Sequence, residues 1–184
     1  MAFAVVLDAN VLVPAALRDT LLRAAESYLY RPIWSREILV EVERTLTGAI
    51  GLSQDQAAVL LEAIRGAFPE AEIEGFDSLI DTMPVNPDDR HVAAAAVAAH
   101  ALCVVTLDVD DFPQTALDRL DTEVQSPDEF LQHLYDIDSE RMVEIIVEQA
   151  ADLRDPPSTP RQICEHLRIV APGFVKLIKS RLPA

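Results

Sequence analysis

Two apolar segments of this chain are each followed directly by acidic side chains, which is an arrangement that can bind metal ions. The first segment, residues 4–7, precedes Asp8, and the second, residues 102–106, leads to Asp108. Short apolar runs rich in β-branched residues are typical of strands buried on both faces. Because open α/β sheets bind ligands beyond the carboxyl ends of their strands, the pattern predicts carboxylates gathered at one edge of a sheet.

Carboxylates gathered in this way need a cation. Like charges a few ångströms apart raise each other's pKa, so a cluster of ionised carboxylates is unfavourable on its own. A hard divalent cation with oxygen ligands is the usual partner of such a cluster. The acids after the two strands therefore indicate a site for Mg²⁺ or Mn²⁺.

Three further acids are candidates for the same cluster. Glu41 lies within a predicted helix, beside its apolar stripe, and Asp89 lies in the first turn of an alanine-rich helix. Asp111 follows the second strand, three residues after Asp108. Taken alone, each has an ordinary explanation, because helix N-termini favour acids, helix surfaces are solvated, and Asp forms turns. Only their joint occurrence points to a shared site.

The rest of the sequence predicts strands that alternate with helices. Such alternation is typical of an α/β fold, here a three-layer α/β/α sandwich around a central, mostly parallel sheet. We divide the chain into an α/β domain at 1–138 and a C-terminal helical extension at 139–184. Short strands are also predicted at 33–34 and 122–124, and residues 73–79 are predicted as a strand or a turn. The predicted helices cover 11–29 with an interruption at Pro14, 35–46, 53–68, 88–101, 114–119, 126–136, 139–153, 160–167 and 173–182.

Charge is unevenly distributed along the chain. The formal net charge is −16, which argues against nucleic acid as a partner. Residues 154–184, however, contain six basic and two acidic side chains, a net charge of +4, and the remainder therefore has −20. The basic tail is either ordinary helix-surface charge or a surface that meets RNA or an acidic partner.

The acidic motifs, taken in chain order, resemble those of the PIN-domain nucleases, in particular the VapC-like toxins of bacterial toxin–antitoxin pairs. The resemblance covers residues 3–135 and does not extend to the tail, which the short toxins lack. Its motifs are Leu7-Asp8-Ala9-Asn10-Val11-Leu12, residues 35–46, Asp88-Asp89-Arg90-His91-Val92-Ala93-Ala94-Ala95 and Val105-Thr106-Leu107-Asp108-Val109-Asp110-Asp111-Phe112.

The resemblance implies a role for each matching residue. Asp8, Glu41, Asp89 and Asp108 correspond to the family's acidic quartet, and Asp111 to a fifth, more variable acid. Of these, Asp8, Asp89 and Asp108 would bind the metal. Asn10 and Thr106 would orient the carboxylates. Many VapC-like proteins have Asn in place of Asp108, and the additional charge here favours a second cation.

The activity that the resemblance implies is Mg²⁺- or Mn²⁺-dependent hydrolysis of RNA phosphodiester bonds. The implied partners are an RNA substrate, a cognate antitoxin protein and a second copy of the chain. Five arginines are candidates for phosphate contacts, namely Arg18, Arg23, Arg31, Arg36 and Arg90, whereas His91, His100, His133 and His166 match no metal-site spacing and are interpreted as surface or helix residues.

Two other functions remain open. A PIN-like module without activity could bind RNA or protein. A phosphoryl-handling α/β hydrolase could use Asp8 as its nucleophile, although Asn10 stands where the haloacid dehalogenase signature has a second Asp, and no Gly-rich phosphate loop is present. Without a secretory signal, a membrane-spanning apolar stretch or paired Cys motifs, the sequence indicates a cytoplasmic protein with no membrane partner.

Overall fold

The protein folds around a five-stranded parallel sheet, as a computed structural model describing residues 2–113 and 120–183 shows. The predicted helix at 114–119 lies outside the described residues. The strands are β1 (Ala4–Leu7), β2 (Arg31–Ser35), β3 (Glu72–Ile73), β4 (Cys103–Val105) and β5 (Glu123–Gln125), in the order β3-β2-β1-β4-β5. All of the pairings between these strands are parallel, which confirms the predicted α/β fold.

The helices cover both faces of this sheet. Those described are α1 (Ala9–Leu12), α2 (Ala15–Glu26), α3 (Arg36–Gly48), α4 (Gln54–Ala67), α5 (Asp77–Ile80), α6 (Arg90–Ala98), α7 (Pro127–Ile137), α8 (Ser139–Asp152), α9 (Pro160–Leu167) and α10 (Pro172–Ile178). Short 3₁₀ turns lie at Pro87–Asp89, Val109–Asp111 and Lys179–Arg181. None of the described helices is both long and apolar enough to cross a membrane.

The order of the strands reverses direction at β1. From β1 the chain proceeds through β2 to β3 on one side and then returns to β4 on the other. Because parallel crossovers are right-handed, this reversal places α2 and α6 on opposite faces of the sheet. It also makes the carboxyl ends of β1 and β4 the topological switch point, where ligands of open α/β sheets bind.

Three predicted helices differ by three residues or more from those observed. The last, predicted over 173–182, ends at Ile178, where the 3₁₀ turn at Lys179–Arg181 follows. The first begins at Ala9 and not at residue 11, because the side chain of Asp8 caps it, and Pro14 divides it fully into α1 and α2. The alanine-rich helix was predicted over 88–101, yet α6 extends only from Arg90 to Ala98. A 3₁₀ turn replaces its first residues, and His100 ends it with a left-handed φ of 49°.

The C-terminal helices pack against the α/β body. The amide of Gln149 in α8 is buried, where its Oε1 accepts a bond from Thr20 Oγ1 (2.8 Å) and its Nε2 donates to the carbonyl of Ala16 (3.0 Å). The carboxylate of Asp128 in α7 accepts bonds from the backbone amides of Gly173 (3.1 Å) and Phe174 (2.8 Å). Residues 155–160 form a corner that returns α9 onto α8.

Candidate active site

Asp8 lies at the carboxyl end of β1 and is almost completely buried, with 6% of its surface exposed. Its Oδ1 accepts a hydrogen bond from the backbone amide of Ala9 (2.7 Å), so the carboxylate caps α1. Its Oδ2 accepts a bond from Thr106 Oγ1 (2.7 Å), which lies just beyond β4. Asp8 is therefore fixed from both of the strands that form the switch point.

Asn10 joins the two acids that follow β1 and β4. Its Nδ2 lies 2.9 Å from Asp8 Oδ2 and 3.0 Å from Asp108 Oδ2, and its Oδ1 accepts a bond from the amide of Leu107 (3.0 Å). Thr106 Oγ1, 2.9 Å from the same nitrogen, accepts a bond from the Asp108 amide (3.1 Å). The structure thus brings together Asp8, Asp108, Asn10 and Thr106.

The charges of Asp89 and Asp111 belong to the same cluster. Burial, together with the negative charges of Asp111 and Asp8, raises the pKa of Asp89 to about 6. Burial also raises the pKa of Asp8, and the charge of Glu41 adds to this rise while bonds from Thr106 and Ala9 oppose it. Acids from four different segments therefore interact electrostatically at the carboxyl edge of the sheet.

Glu41 reaches the cluster from the middle of α3, opposite His91 of α6. Glu41 Oε2 lies 3.6 Å from His91 Nε2, which is within ion-pair range but longer than a hydrogen bond. Burial lowers the pKa of His91, but the carboxylates of Glu41 and Asp8 outweigh this effect and raise it above its ordinary value. His91 is thus a helix residue, as interpreted, but it is buried and faces Glu41, a contact with α3 that sequence spacing cannot reveal.

The side chains at this edge fit a hard divalent cation in their chemistry. Oxygen ligands predominate, and the raised pKa of Asp89 indicates negative charge that its neighbours leave uncompensated. As the side chains stand, however, no three His, Cys, Asp or Glu residues within 2–113 and 120–183 are gathered closely enough to hold an ion. The Nδ2 group of Asn10 lies instead between the carboxylates of Asp8 and Asp108.

Three of the five candidate phosphate-binding arginines are bonded within the chain or lie at the other edge of the sheet. Arg18 donates to the carbonyls of Leu12 (2.9 Å) and Val13 (3.0 Å), at the end of α1. Arg23 pairs with Asp19 and Asp152, and Arg31 begins β2 at the amino edge of the sheet.

Two of the candidate arginines lie on the side of the acids. Arg36 is exposed at the start of α3, directly after β2, and Arg90 follows Asp89. The Nε atom of Arg90 is buried and has no hydrogen-bond partner in the part of the chain that the structure describes. Of the five candidates, these two therefore lie at the carboxyl edge of the sheet without a described partner for the Arg90 Nε atom.

Several basic residues of the tail are held by local contacts. Arg168 and Lys179 both pair with Glu165, at 3.1 Å and 3.6 Å. Arg181 contacts Tyr135 and Ser139 near the end of α7. Because α7 starts directly after β5 and extends away from the carboxyl edge for roughly 16 Å, Arg181 does not line the approach to the acids, which favours ordinary helix-surface charge for this residue.

Comparison with known proteins gives two family matches that divide the chain. A model described as "PIN domain" matches residues 4–110, and one described as "VapC50 C-terminal domain" matches residues 127–180. Over 110 residues the chain is 32% identical to a Mycobacterium tuberculosis (strain ATCC 25618 / H37Rv) protein named "Putative ribonuclease VapC50". The alignment covers 60% of this chain and 65% of that protein, which is less than two thirds of the relative's length. No solved structure matches the chain.

The PIN-domain match covers more than half of the chain and includes Asp8, Glu41, Asp89 and Asp108. The second match begins within α7, whose Asp128 is bonded to α10. The predicted resemblance is thereby confirmed, and the chain belongs to the PIN-domain family, with a VapC-like C-terminal extension.

Proposed function

We propose that this chain is a Mg²⁺- or Mn²⁺-dependent endoribonuclease and the toxin of a toxin–antitoxin pair. The observation that carries the proposal is the junction of Asp8 and Asp108 through Asn10 at the switch point of a PIN-domain sheet. The name of the Mycobacterium tuberculosis relative, which describes a ribonuclease, supports the same activity. Residues 1–138 would perform the chemistry, and residues 139–184 would form a helical extension.

Asp8, Asp89 and Asp108 would hold the ion, with Asp111 adding negative charge. When bound, the ion would lower the pKa of a water molecule and stabilise negative charge on the phosphate. Thr106 and Asn10 keep the carboxylates of Asp8 and Asp108 in fixed orientations. Such fixed orientations matter because a metal site retains its geometry through the hydrogen bonds behind its ligands.

Glu41 and the two nearby arginines would act on the substrate side. Glu41 is partly exposed, so its carboxylate can accept a proton from water or orient it. Arg36 and Arg90 would contact the RNA phosphates. Because the body of the chain is strongly acidic, a homodimer that joins arginines of two subunits would strengthen RNA binding.

Cleavage of a mixed RNA pool by the purified chain tests the proposed activity. We expect cleavage with Mg²⁺ or Mn²⁺, no cleavage in excess EDTA, and a loss of at least about 100-fold in Asp8→Asn, since that variant removes a metal ligand. Asp110→Asn is the matched control, because Asp110 is an exposed acid of the same region. Full activity in EDTA or in Asp8→Asn would contradict the proposal, and a folded chain that cleaves no RNA would favour a binding module.

Growth of bacteria that express the chain tests the assignment as a toxin. Expression of the wild-type chain in the cytoplasm, where its RNA targets would lie, should slow bacterial growth when no antitoxin is present. Expression of Asp8→Asn at equal abundance should not. If both chains are equally harmless, the toxin assignment fails, whereas the ribonuclease assignment is judged by the cleavage assay alone.

A further inference from the structure

His91 is a buried polar residue beside the acid cluster that the proposed chemistry does not yet use. Only 13% of its side chain is exposed, and Nε2 has no hydrogen-bond partner among the residues that the structure describes. The carboxylate oxygen Oε2 of Glu41 lies 3.6 Å from this nitrogen. Leaving a ring nitrogen buried without a full hydrogen bond is costly, so packing alone does not account for a histidine here.

The surroundings of His91 would suit an apolar side chain. It lies in the first turn of α6, where the next residues, from Val92 to Ala96, are all buried. A leucine would fill a similar volume without an unsatisfied nitrogen. The imidazole therefore contributes something other than packing, and its Nε2 atom faces the Glu41 carboxylate.

Glu41 differs from the other acids of the cluster in how it is fixed. Asp8 is held by Thr106 and by the backbone amide of Ala9, and the carboxylate of Asp108 by Asn10. For the carboxylate of Glu41, residues 2–113 and 120–183 give one polar side-chain contact, and that contact is with His91. A glutamate has one more rotatable bond than an aspartate, so it loses more side-chain entropy when it is held in one position.

We propose that His91 is a positioning residue that fixes the Glu41 carboxylate toward the acid cluster. This inference rests on the proposed ribonuclease function, because its effect on catalysis is exerted through Glu41. His91 thereby holds an acid of α3, Glu41, as Asn10 holds Asp108 in the turn after β4. It links the beginning of α6, which supplies Asp89, to the middle of α3, which supplies Glu41.

A double-mutant cycle between His91 and Glu41 separates this role from packing. His91→Leu keeps the volume and removes the polar atoms, and we expect it to lower kcat about 10- to 100-fold with little change in KM. His91→Gln retains an amide that can donate to Glu41 and should restore part of the rate. In a Glu41→Gln background, His91→Leu should have no further effect. His166→Leu, at an exposed histidine of α9, is the control and should match the wild type.

Two kinetic results would overturn the proposal. One is wild-type activity in His91→Leu. The other is an equal loss of activity from His91→Leu in the wild-type and Glu41→Gln backgrounds, since independent effects combine multiplicatively in rate. Thermal denaturation of each variant shows whether the chain is folded in the assay.

A nuclear magnetic resonance measurement tests the contact without any cleavage. In ¹⁵N-histidine-labelled protein, the ring signal that disappears in His91→Leu identifies His91. We expect Glu41→Gln to shift this signal and Glu37→Gln, an exposed acid on the same helix, to leave it in place. An unchanged signal in Glu41→Gln would reject the contact even in an active enzyme, whereas a shifted signal in a chain that cleaves no RNA would reject the ribonuclease proposal and with it the catalytic role of His91.

Discussion

The carboxyl edge of the sheet and the C-terminal helices both depend on buried or half-buried polar side chains, but these are satisfied to different degrees. Where the C-terminal helices meet the body, both polar atoms of the Gln149 amide have partners, and the two carboxylate oxygens of Asp128 each accept a hydrogen bond from a backbone amide of α10. At the carboxyl edge, the carboxylates of Asp8 and Asp108 meet at a single nitrogen of Asn10, and Asp89 retains uncompensated charge.

This difference indicates that the contacts of the C-terminal helices stabilise the fold and that the acids at the carboxyl edge destabilise it. Paired polar groups stabilise the fold, whereas like charges held together destabilise it until a cation binds. Substitutions at the two regions should therefore have opposite effects. Changes at the edge should abolish activity and preserve the fold, and changes in the C-terminal helices should weaken the fold and preserve the site.

The largest effect is expected for Asp8→Asn at the edge. It should reduce RNA cleavage by at least about 100-fold, and without added metal it should leave the melting temperature unchanged or raise it. The physical reason is that burial already disfavours the ionised carboxylate of Asp8. Cleavage assays and thermal denaturation of the same preparation provide both values. A large loss of stability in this variant would contradict the comparison.

The converse effect is expected for Phe174→Ala in α10. Phe174 is fully buried, and such truncations of a core phenylalanine cost about 3–5 kcal/mol. Urea denaturation should show this loss, while the molecules that remain folded should cleave RNA at the wild-type rate. Leu177→Ala, at a partly exposed position of the same helix, should cost much less.

A smaller loss is expected for Gln149→Ala in α8. The variant removes the partner of the Thr20 hydroxyl and a donor to the Ala16 carbonyl, and unpaired buried groups of this kind cost about 1–3 kcal/mol. Thr20 keeps its own bond to the carbonyl of Ala16, which limits the damage. In the double variant Thr20→Val with Gln149→Ala, the two losses should not add, because the residues are in contact.

The effect of pH on folding stability through Asp89 should be smaller than the effects of these substitutions, but its sign is definite. Because the pKa of folded Asp89 is about 6, above its ordinary value of 3.8, the folded chain holds this proton more tightly than the unfolded chain. Its contribution to stability is therefore present below about pH 4 and is lost as the pH rises through 6.

Metal binding should follow the opposite trend with pH, because protons compete with the cation for Asp89. The dissociation constant for Mn²⁺ should rise by up to about tenfold for each unit of pH below 6 and level off above 7. Isothermal titration calorimetry across this range measures it. Asp89→Asn should bind more weakly and should flatten the profile, and an unchanged profile in that variant would assign the proton to another group.

Structural features that depend on residues close together in the sequence were predictable from it. The helices predicted over 53–68 and 126–136 are formed, because each starts with a capping box, at Ser53 and at Ser126, that needs only a side chain three residues further on. The limits of α6 were not predictable, since alanines favour a helix without specifying where it ends. The segment 73–79 stayed ambiguous and contains both the end of the two-residue β3 and the start of α5, which are too short for a periodic pattern.

The same distinction applies to the candidate site. The acids after β1 and β4 were found because each follows a buried strand, and parallel strands of one sheet share an edge. The bond from Asn10 to Asp108 joins residues far apart in the sequence, so its geometry required the fold. His91 was missed for the same reason, because its partner Glu41 lies on another helix and neither residue has a distinctive spacing.

The position of a bound Mn²⁺ ion tests the central claim most directly. We expect crystals soaked in Mn²⁺ to give an anomalous scattering peak in contact with a carboxylate oxygen of Asp8 and with Asp89 or Asp108, at roughly 2.2 Å as is usual for small hard cations. The Nδ2 group of Asn10 should then no longer lie between the carboxylates of Asp8 and Asp108. An ion bound elsewhere on the chain, or no ion at the edge under saturating Mn²⁺, would contradict the account.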